Sequence, residues 1–240
     1  MPSAWEERYD RQIRVWGREG QARLKRASVL VAGVGGLGSA AALYLVAAGV
    51  GRVVLVDPER VELSNLNRQV LYWTRDVGKL KVECAAEKLR ELNPEVKVEA
   101  VPERITEDNV RDLVSSVDLV VDGMDNWGTR LLLNRACVEL GKPFVHAGVY
   151  EAQGQLLTVI PRKGPCLQCV FPEPPPEVRP FPVVGTAPGV LATLQATEAL
   201  KILAGYGTAS VGKLIVFDGY DLSFYVVAVK RRPDCPVCGG

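Results

Sequence analysis

Four thiols and a short series of charged residues carry the chemistry this sequence can offer. Cys166 and Cys169 stand in GPCLQCVF, and Cys235 and Cys238 stand in RPDCPVCGG. Two C-x-x-C knuckles supply four thiolates, the donor set of a tetrahedral Zn²⁺ site closed to substrate and hence structural. Such a site would tie the chain end to the proline-rich stretch PEPPPEVRPFP. The competing reading is two redox pairs. A second group begins with the G-x-G-x-x-G pattern at Gly33, Gly35 and Gly38. Glycines in a strand-to-helix turn let the backbone approach a phosphate, and the helix N-terminus favours its negative charge. Asp57 follows Gly33 by 24 residues, the expected place for a carboxylate on ribose hydroxyls.

What comes next narrows the ligand. Arg68 lies in NLNRQ, Lys81 starts the following helix, and Asp125 and Asn126 follow a later strand. Two cations and a carboxylate suit a triphosphate with Mg²⁺ better than a dinucleotide. Hydride transfer has no phosphate displacement to stabilise, whereas an ATP-using enzyme must neutralise charge at the α-phosphate and on departing pyrophosphate. Taken singly, Arg68 or Lys81 would be a surface charge.

The elements that must position these groups alternate. SVLVAGVG reads as a buried strand, LGSAAALYLVAAG as a helix ending at Gly49, and RVVLVD as a strand ending in Asp57. VELSNLNRQVLYW is polar and irregular. VGKLKVECAAEKLRELNP predicts a helix stopped by Pro94, EVKVEAV a strand, and TEDNVRDLVSSV a short helix with Thr106 near its cap. DLVVDGMDN is a strand running into an acidic turn, GTRLLLNRACVELGK a helix and PFVHAGV a strand. The chain is therefore expected to be an α/β protein with a Rossmann-like, doubly wound sheet, parallel in its N-terminal half. After Tyr150, EAQGQLLTVIP adds a strand, GVLATLQATEALKILAGYG a long helix, and KLIVFDGYDLSFYVVAVKR a hairpin. These extend the same sheet with mixed and antiparallel strands, so residues 1–240 are expected to form one domain. At the N-terminus, Ser3 and Glu6 have capping-box spacing for a helix near Trp5, with Arg8, Arg11 and Arg14 on one face.

Bulk properties exclude several classes. The 240 residues carry a net charge of +1 and are 48% hydrophobic and 24% charged, which gives no pull toward nucleic acid or a membrane surface. Ala27 to Gly51 is uncharged and long enough to span a bilayer, but its six glycines, four of them between Gly33 and Gly38, break a helix interior. The first twenty residues contain no apolar core of the signal-peptide kind, so a cytoplasmic, reducing setting is expected. There, Cys84 and Cys137 read as buried packing, and the lone histidine, His146, as a core residue at a strand end.

With these residues in view, RYDRQ, GVGGLGS, LSNLNRQ, VGKLKVE, DGMDN and the two C-x-x-C pairs resemble the MoeB/ThiF group, the bacterial relatives of ubiquitin-activating enzymes. The resemblance runs from about Tyr9 to Gly239. It implies a homodimeric, ATP-dependent adenylyltransferase acting on a ubiquitin-like sulfur-carrier protein that ends in Gly-Gly. The carrier's terminal carboxylate would become an acyl-adenylate, ahead of thiocarboxylate formation with sulfur from another protein, for molybdenum cofactor, thiamine or related sulfur biosynthesis. By the same resemblance, Gly36 would approach the phosphates, Asp57 would hold ribose, and Ser64, Asn65, Leu66, Asn67, Arg68 and Gln69 would line the nucleotide. Lys81 would bind phosphate, Asp125 would hold Mg²⁺ with Asn126 beside it, and Arg11 would reach the other subunit's site. Residues 1–150 would be the nucleotide-binding half and 151–240 the carrier-binding half. Some members carry a cysteine in the loop before the last long helix; here none lies between Cys169 and Cys235, which implies adenylation without a thioester on that loop. The terminal Gly239-Gly240 reads as the end of a knuckle rather than as a carrier tail. A nicotinamide-dependent oxidoreductase and a non-catalytic, nucleotide-binding zinc scaffold remain as alternatives.

Overall fold

A computed structural model describes residues 4–176 and 181–239. Its eight strands form one sheet in the order β3-β2-β1-β4-β5-β6-β7-β8. The parallel part comprises β1 (Ser28–Ala32), β2 (Arg52–Val56), β3 (Lys97–Val101), β4 (Leu119–Asp122) and β5 (Phe144–Tyr150). Strands β6 (Gln153–Val159), β7 (Lys213–Asp218) and β8 (Ser223–Ala228) continue it antiparallel. The change of direction follows from the connections: β5 turns into β6 within two residues, which only an antiparallel pair permits. Apart from Ser28, Arg52 and Asp122 at their ends, strands β1, β2 and β4 are continuous apolar runs because helices cover both faces of the sheet.

One face is covered by α2 (Gly36–Ala47), α3 (Lys81–Leu92), α7 (Thr186–Leu200) and the end of α1 (Ala4–Arg26), around Val29, Val31, Leu55, Val121 and Leu191. The other carries α4 (Val110–Ser115), α5 (Trp127–Leu140) and the short α6 (Leu167–Val170), around Leu30, Val120, Phe144 and Leu157. Cys84 and Cys137 are buried in these two cores. Among the described residues, no helix is long and apolar enough to cross a membrane; the uncharged run from Ala27 is strand, turn and helix.

The expected and observed elements differ at their ends. Helix α1 runs to Arg26 and is kinked at Gly17, whose φ of 74° favours glycine; Ser3 lies outside the described residues. Asn109, not Thr106, occupies the cap position of α4, and its Oδ1 accepts the Thr106 amide at 2.9 Å. Helix α7 begins at Thr186, three residues before the expected Gly189. Helix α6, four residues long and containing Cys169, is too short to carry a periodic signal in the sequence.

Candidate active site

A cleft opens at the carboxyl ends of β1, β2 and β4, where the strand order reverses across β1, the place at which open α/β sheets take ligands. Its floor is the turn from β1 into α2. A Cβ on Gly38 would lie 1.8 Å from the Gly33 carbonyl oxygen, so only glycine allows the helix to start this close to the strand. Gly35 caps α2 without a side-chain bond, which leaves the first-turn amides of Gly36 and Leu37 available at the positive end of the helix dipole. Val34 is gripped from both sides: Tyr72 Oη donates to its carbonyl at 2.7 Å, and Asp57 Oδ2 accepts its amide at 2.8 Å.

Asp57 therefore braces the turn as well as facing the cleft. Its Oδ1 accepts the Glu59 amide at 2.8 Å. Burial pushes its pKa above the usual aspartate value, against the opposing pull of Lys81. Lys81 opens α3 and is only 3% exposed, with Nζ 2.6 Å from Glu59 Oε2. Arg68 Nη1 donates to the Ser64 carbonyl and to Asn67 Oδ1, both at 2.9 Å. Asp125 reaches the cleft from the turn after β4, and Asn126 beside it caps α5 by accepting the Thr129 amide at 2.9 Å.

The cleft thus brings together Gly36, Asp57, Asn65, Arg68, Gln69, Lys81, Asp125 and Asn126. Ser64, Leu66 and Asn67 do not line it: Ser64 and Asn67 hold Arg68 from behind, and Leu66 packs against the core. Arg11 is also absent from the wall. Its helix is anchored at the opposite end of the sheet, where Tyr9 Oη accepts Asn93 Nδ2 at 2.8 Å and Gln12 Nε2 donates to the Ala48 carbonyl at 2.6 Å. Glu59, Arg104 and Arg130, which no motif in the sequence marks, also line the cleft. Arg104 follows β3, and its position after a strand end was the available signal. In all, Arg68, Lys81, Arg104 and Arg130 face Asp57, Glu59, Glu62, Glu103 and Asp125. A triphosphate would enter this carboxylate-rich wall best with a divalent cation. A second cavity shares Asp125, Arg130, Val149 and Phe181 with the first and runs along β5, β6 and β7 beneath Pro175 and Pro176.

Away from the cleft, the sulfurs of Cys166, Cys169, Cys235 and Cys238 lie within 4.8 Å of one another. Adjacent pairs are 3.9 Å (Cys166–Cys169), 3.6 Å (Cys166–Cys235) and 3.3 Å (Cys169–Cys238) apart. A tetrahedron with Zn–S bonds of about 2.3 Å has edges of about 3.8 Å, so the four thiols fit zinc and are too far apart for disulfides. Asn134 of α5 accepts the Leu167 amide at 2.9 Å and joins the knuckle to the core. The Gly239 amide donates to the Cys235 carbonyl at 2.8 Å, so Gly239 closes the knuckle; Gly240 lies outside the described residues.

Fold and cleft together define a doubly wound α/β protein with a phosphate-type cradle and a four-cysteine knuckle on a single sheet. The chain belongs to the ThiF family, whose model matches residues 9–237. It is 48% identical over 245 residues to a sulfur carrier protein adenylyltransferase of Thermus thermophilus, covering 97% of this chain and 90% of that one. It is 46% identical to a SAMP-activating enzyme E1 of Haloferax volcanii, covering 97% and 88%. Among solved structures it resembles E. coli MccB crystallised with ATP, at a TM-score of 0.85 and 25% identity over all of this chain and 76% of that one.

Proposed function

We propose that this protein is an ATP-dependent adenylyltransferase that activates the C-terminal carboxylate of a ubiquitin-like sulfur-carrier protein ending in Gly-Gly. The single observation that carries the reading is the meeting of two cavities at Asp125 and Arg130. One has the glycine turn, Arg68 and Lys81 for a nucleotide; the other follows β5, β6 and β7 and would take an extended tail.

In this reading one oxygen of the tail carboxylate attacks the α-phosphorus of ATP. The bond from phosphorus to the oxygen bridging to the β-phosphate breaks, and that oxygen leaves with the electron pair as pyrophosphate. The uncapped start of α2, with Gly36, cradles phosphate. Asp57 holds the ribose while fixing the turn, and Asn65 and Gln69 line the nucleotide. Lys81, buried and tethered only at the rim by Glu59, is placed to follow charge onto the departing phosphates; Arg68 assists it. Asp125, with Asn126 beside it, would hold Mg²⁺, which supplies charge neutralisation on the phosphates. Cys166, Cys169, Cys235 and Cys238 would hold a structural Zn²⁺. Arg11 can serve a cleft only from a second copy, so the active form is a homodimer. No cysteine lies between Cys169 and Cys235, so the product is the adenylate rather than a thioester on that segment. Carrier-dependent exchange of pyrophosphate into ATP tests this reading; a nicotinamide enzyme or a non-catalytic scaffold would show none.

A further inference from the structure

Behind the cleft lies a chain of buried charge. Asp122, at the end of β4, is fully buried. Its Oδ2 faces His146 Nδ1 at 2.6 Å and Arg130 Nε at 3.3 Å, and its Oδ1 accepts the Met124 amide at 2.9 Å. Burial holds the imidazole below the usual histidine pKa, against the opposing pull of Asp122. Arg130 is thus the cation paired with Asp122.

The Arg130 side chain is only 9% exposed. Nη2 donates to the Met124 and Ala147 carbonyls. Nη1 lies beside Gly148, 3.5 Å from where a Cβ on that glycine would sit, and Gly148 walls the second cavity. One edge of the guanidinium is thus fixed by the fold while the other faces the seam between the cavities. Among the described residues, Arg130 is the cation that lines both the cleft and the groove.

That seam needs a cation. A tail carboxylate arriving there must approach a negative α-phosphate, past Asp125. Resting on the function proposed above, we infer that Arg130 receives the tail carboxylate and holds it against the α-phosphate, with Asp122 and His146 as positioning residues that fix the plane of the guanidinium. No proton moves in the step. One carboxylate oxygen bonds to phosphorus, the other becomes the carbonyl oxygen and stays on Arg130, and pyrophosphate leaves with the electrons of the broken bond.

The test compares the sulfur carrier protein of Thermus thermophilus with its C-terminal amide, each binding to the protein loaded with a non-hydrolysable ATP analogue. The unaltered protein should bind the carboxylate form at least tenfold tighter. Arg130→Gln should bind both forms alike, keep its affinity for the analogue, and lose at least 100-fold in pyrophosphate exchange. Asp122→Asn should raise the KM for carrier while leaving that for ATP unchanged, a split that a merely structural role would not produce. Should Arg130→Gln fail to fold, Arg130→Lys decides: it should retain a preference for the carboxylate form while exchange drops at least tenfold. A glutamine variant that keeps the tenfold preference, or a lysine variant with unchanged exchange, overturns the assignment. If the unaltered protein shows no carrier-dependent exchange, the adenylyltransferase reading itself fails and the role of Arg130 falls with it.

Discussion

Lys81 Nζ lies 2.6 Å from Glu59 Oε2, with the lysine side chain 4% exposed and the glutamate 63% exposed. The ammonium is thus held in the cleft by the packing of α3, and the carboxylate reaches it from the rim. The Glu59 carboxylate stays open to solvent at the rim, so an entering phosphate can displace it from the ammonium.

The two residues should therefore separate in a mutational test. Lys81→Ala should lower pyrophosphate exchange at least about 100-fold, the scale of losing one transition-state stabiliser. Glu59→Gln, by removing the competitor for the ammonium, should lower the KM for ATP by no more than about fivefold, which corresponds to about 1 kcal/mol. Initial rates at varied ATP distinguish the two.

Asp125 faces the cleft while the fold below it is fixed by Asn126 and Asp122. Asp125→Ala should abolish exchange and the response of the rate to Mg²⁺, with zinc content and melting temperature unchanged. Metal analysis and a thermal melt on the same preparation check this.

The four-cysteine knuckle should act on stability rather than chemistry, because none of its thiols lines the cleft. One zinc per chain is expected. Cys235→Ser should reduce zinc binding, and a loss of about 3 kcal/mol would lower the melting temperature by about 6–12 °C for a chain of this size. Exchange measured well below the melt should persist.

At the sheet edge, Arg52 and Lys97 hold the Glu99 carboxyl down at about 2, below its ordinary 4.5. A depressed carboxylate contributes stability above its unfolded pKa and loses it as pH falls through the folded one. Glu99→Gln should therefore melt lower than the unaltered protein at pH 7. The gap should close as pH falls from about 4.5 to about 2. Melting curves across that range provide the check.

Much of this was legible in the sequence because local chemistry and global fold agree. The continuous apolar runs at Val29–Ala32 and Val53–Val56 could only be strands covered on both faces, and the glycines between Gly33 and Gly38 could only be a turn. Asp57, Lys81 and Asp125 are legible because each follows a strand or opens a helix, and Arg68 because it stands in the polar stretch NLNRQ beyond Asp57. The double role of Asp57 was not legible, since its bond to the Val34 amide crosses 23 residues of chain. The family resemblance implied Ser64, Leu66 and Asn67 at the nucleotide; the 3-10 turn at Leu63–Asn65 instead sets Ser64 and Asn67 against Arg68 and Leu66 against the core. His146 read correctly as a buried residue; its link through Asp122 to Arg130 joins three separate elements and has no signature in spacing.

A nucleotide and a protein tail are expected to meet at Asp125 and Arg130. The most direct measurement is exchange of labelled pyrophosphate into ATP, with and without a sulfur carrier ending in Gly-Gly, for the unaltered protein and for Lys81→Ala and Asp125→Ala. Exchange is expected only with the carrier present, and is lost in both variants while each remains folded and zinc-loaded. Exchange without carrier, or near-normal exchange in both variants, would contradict it.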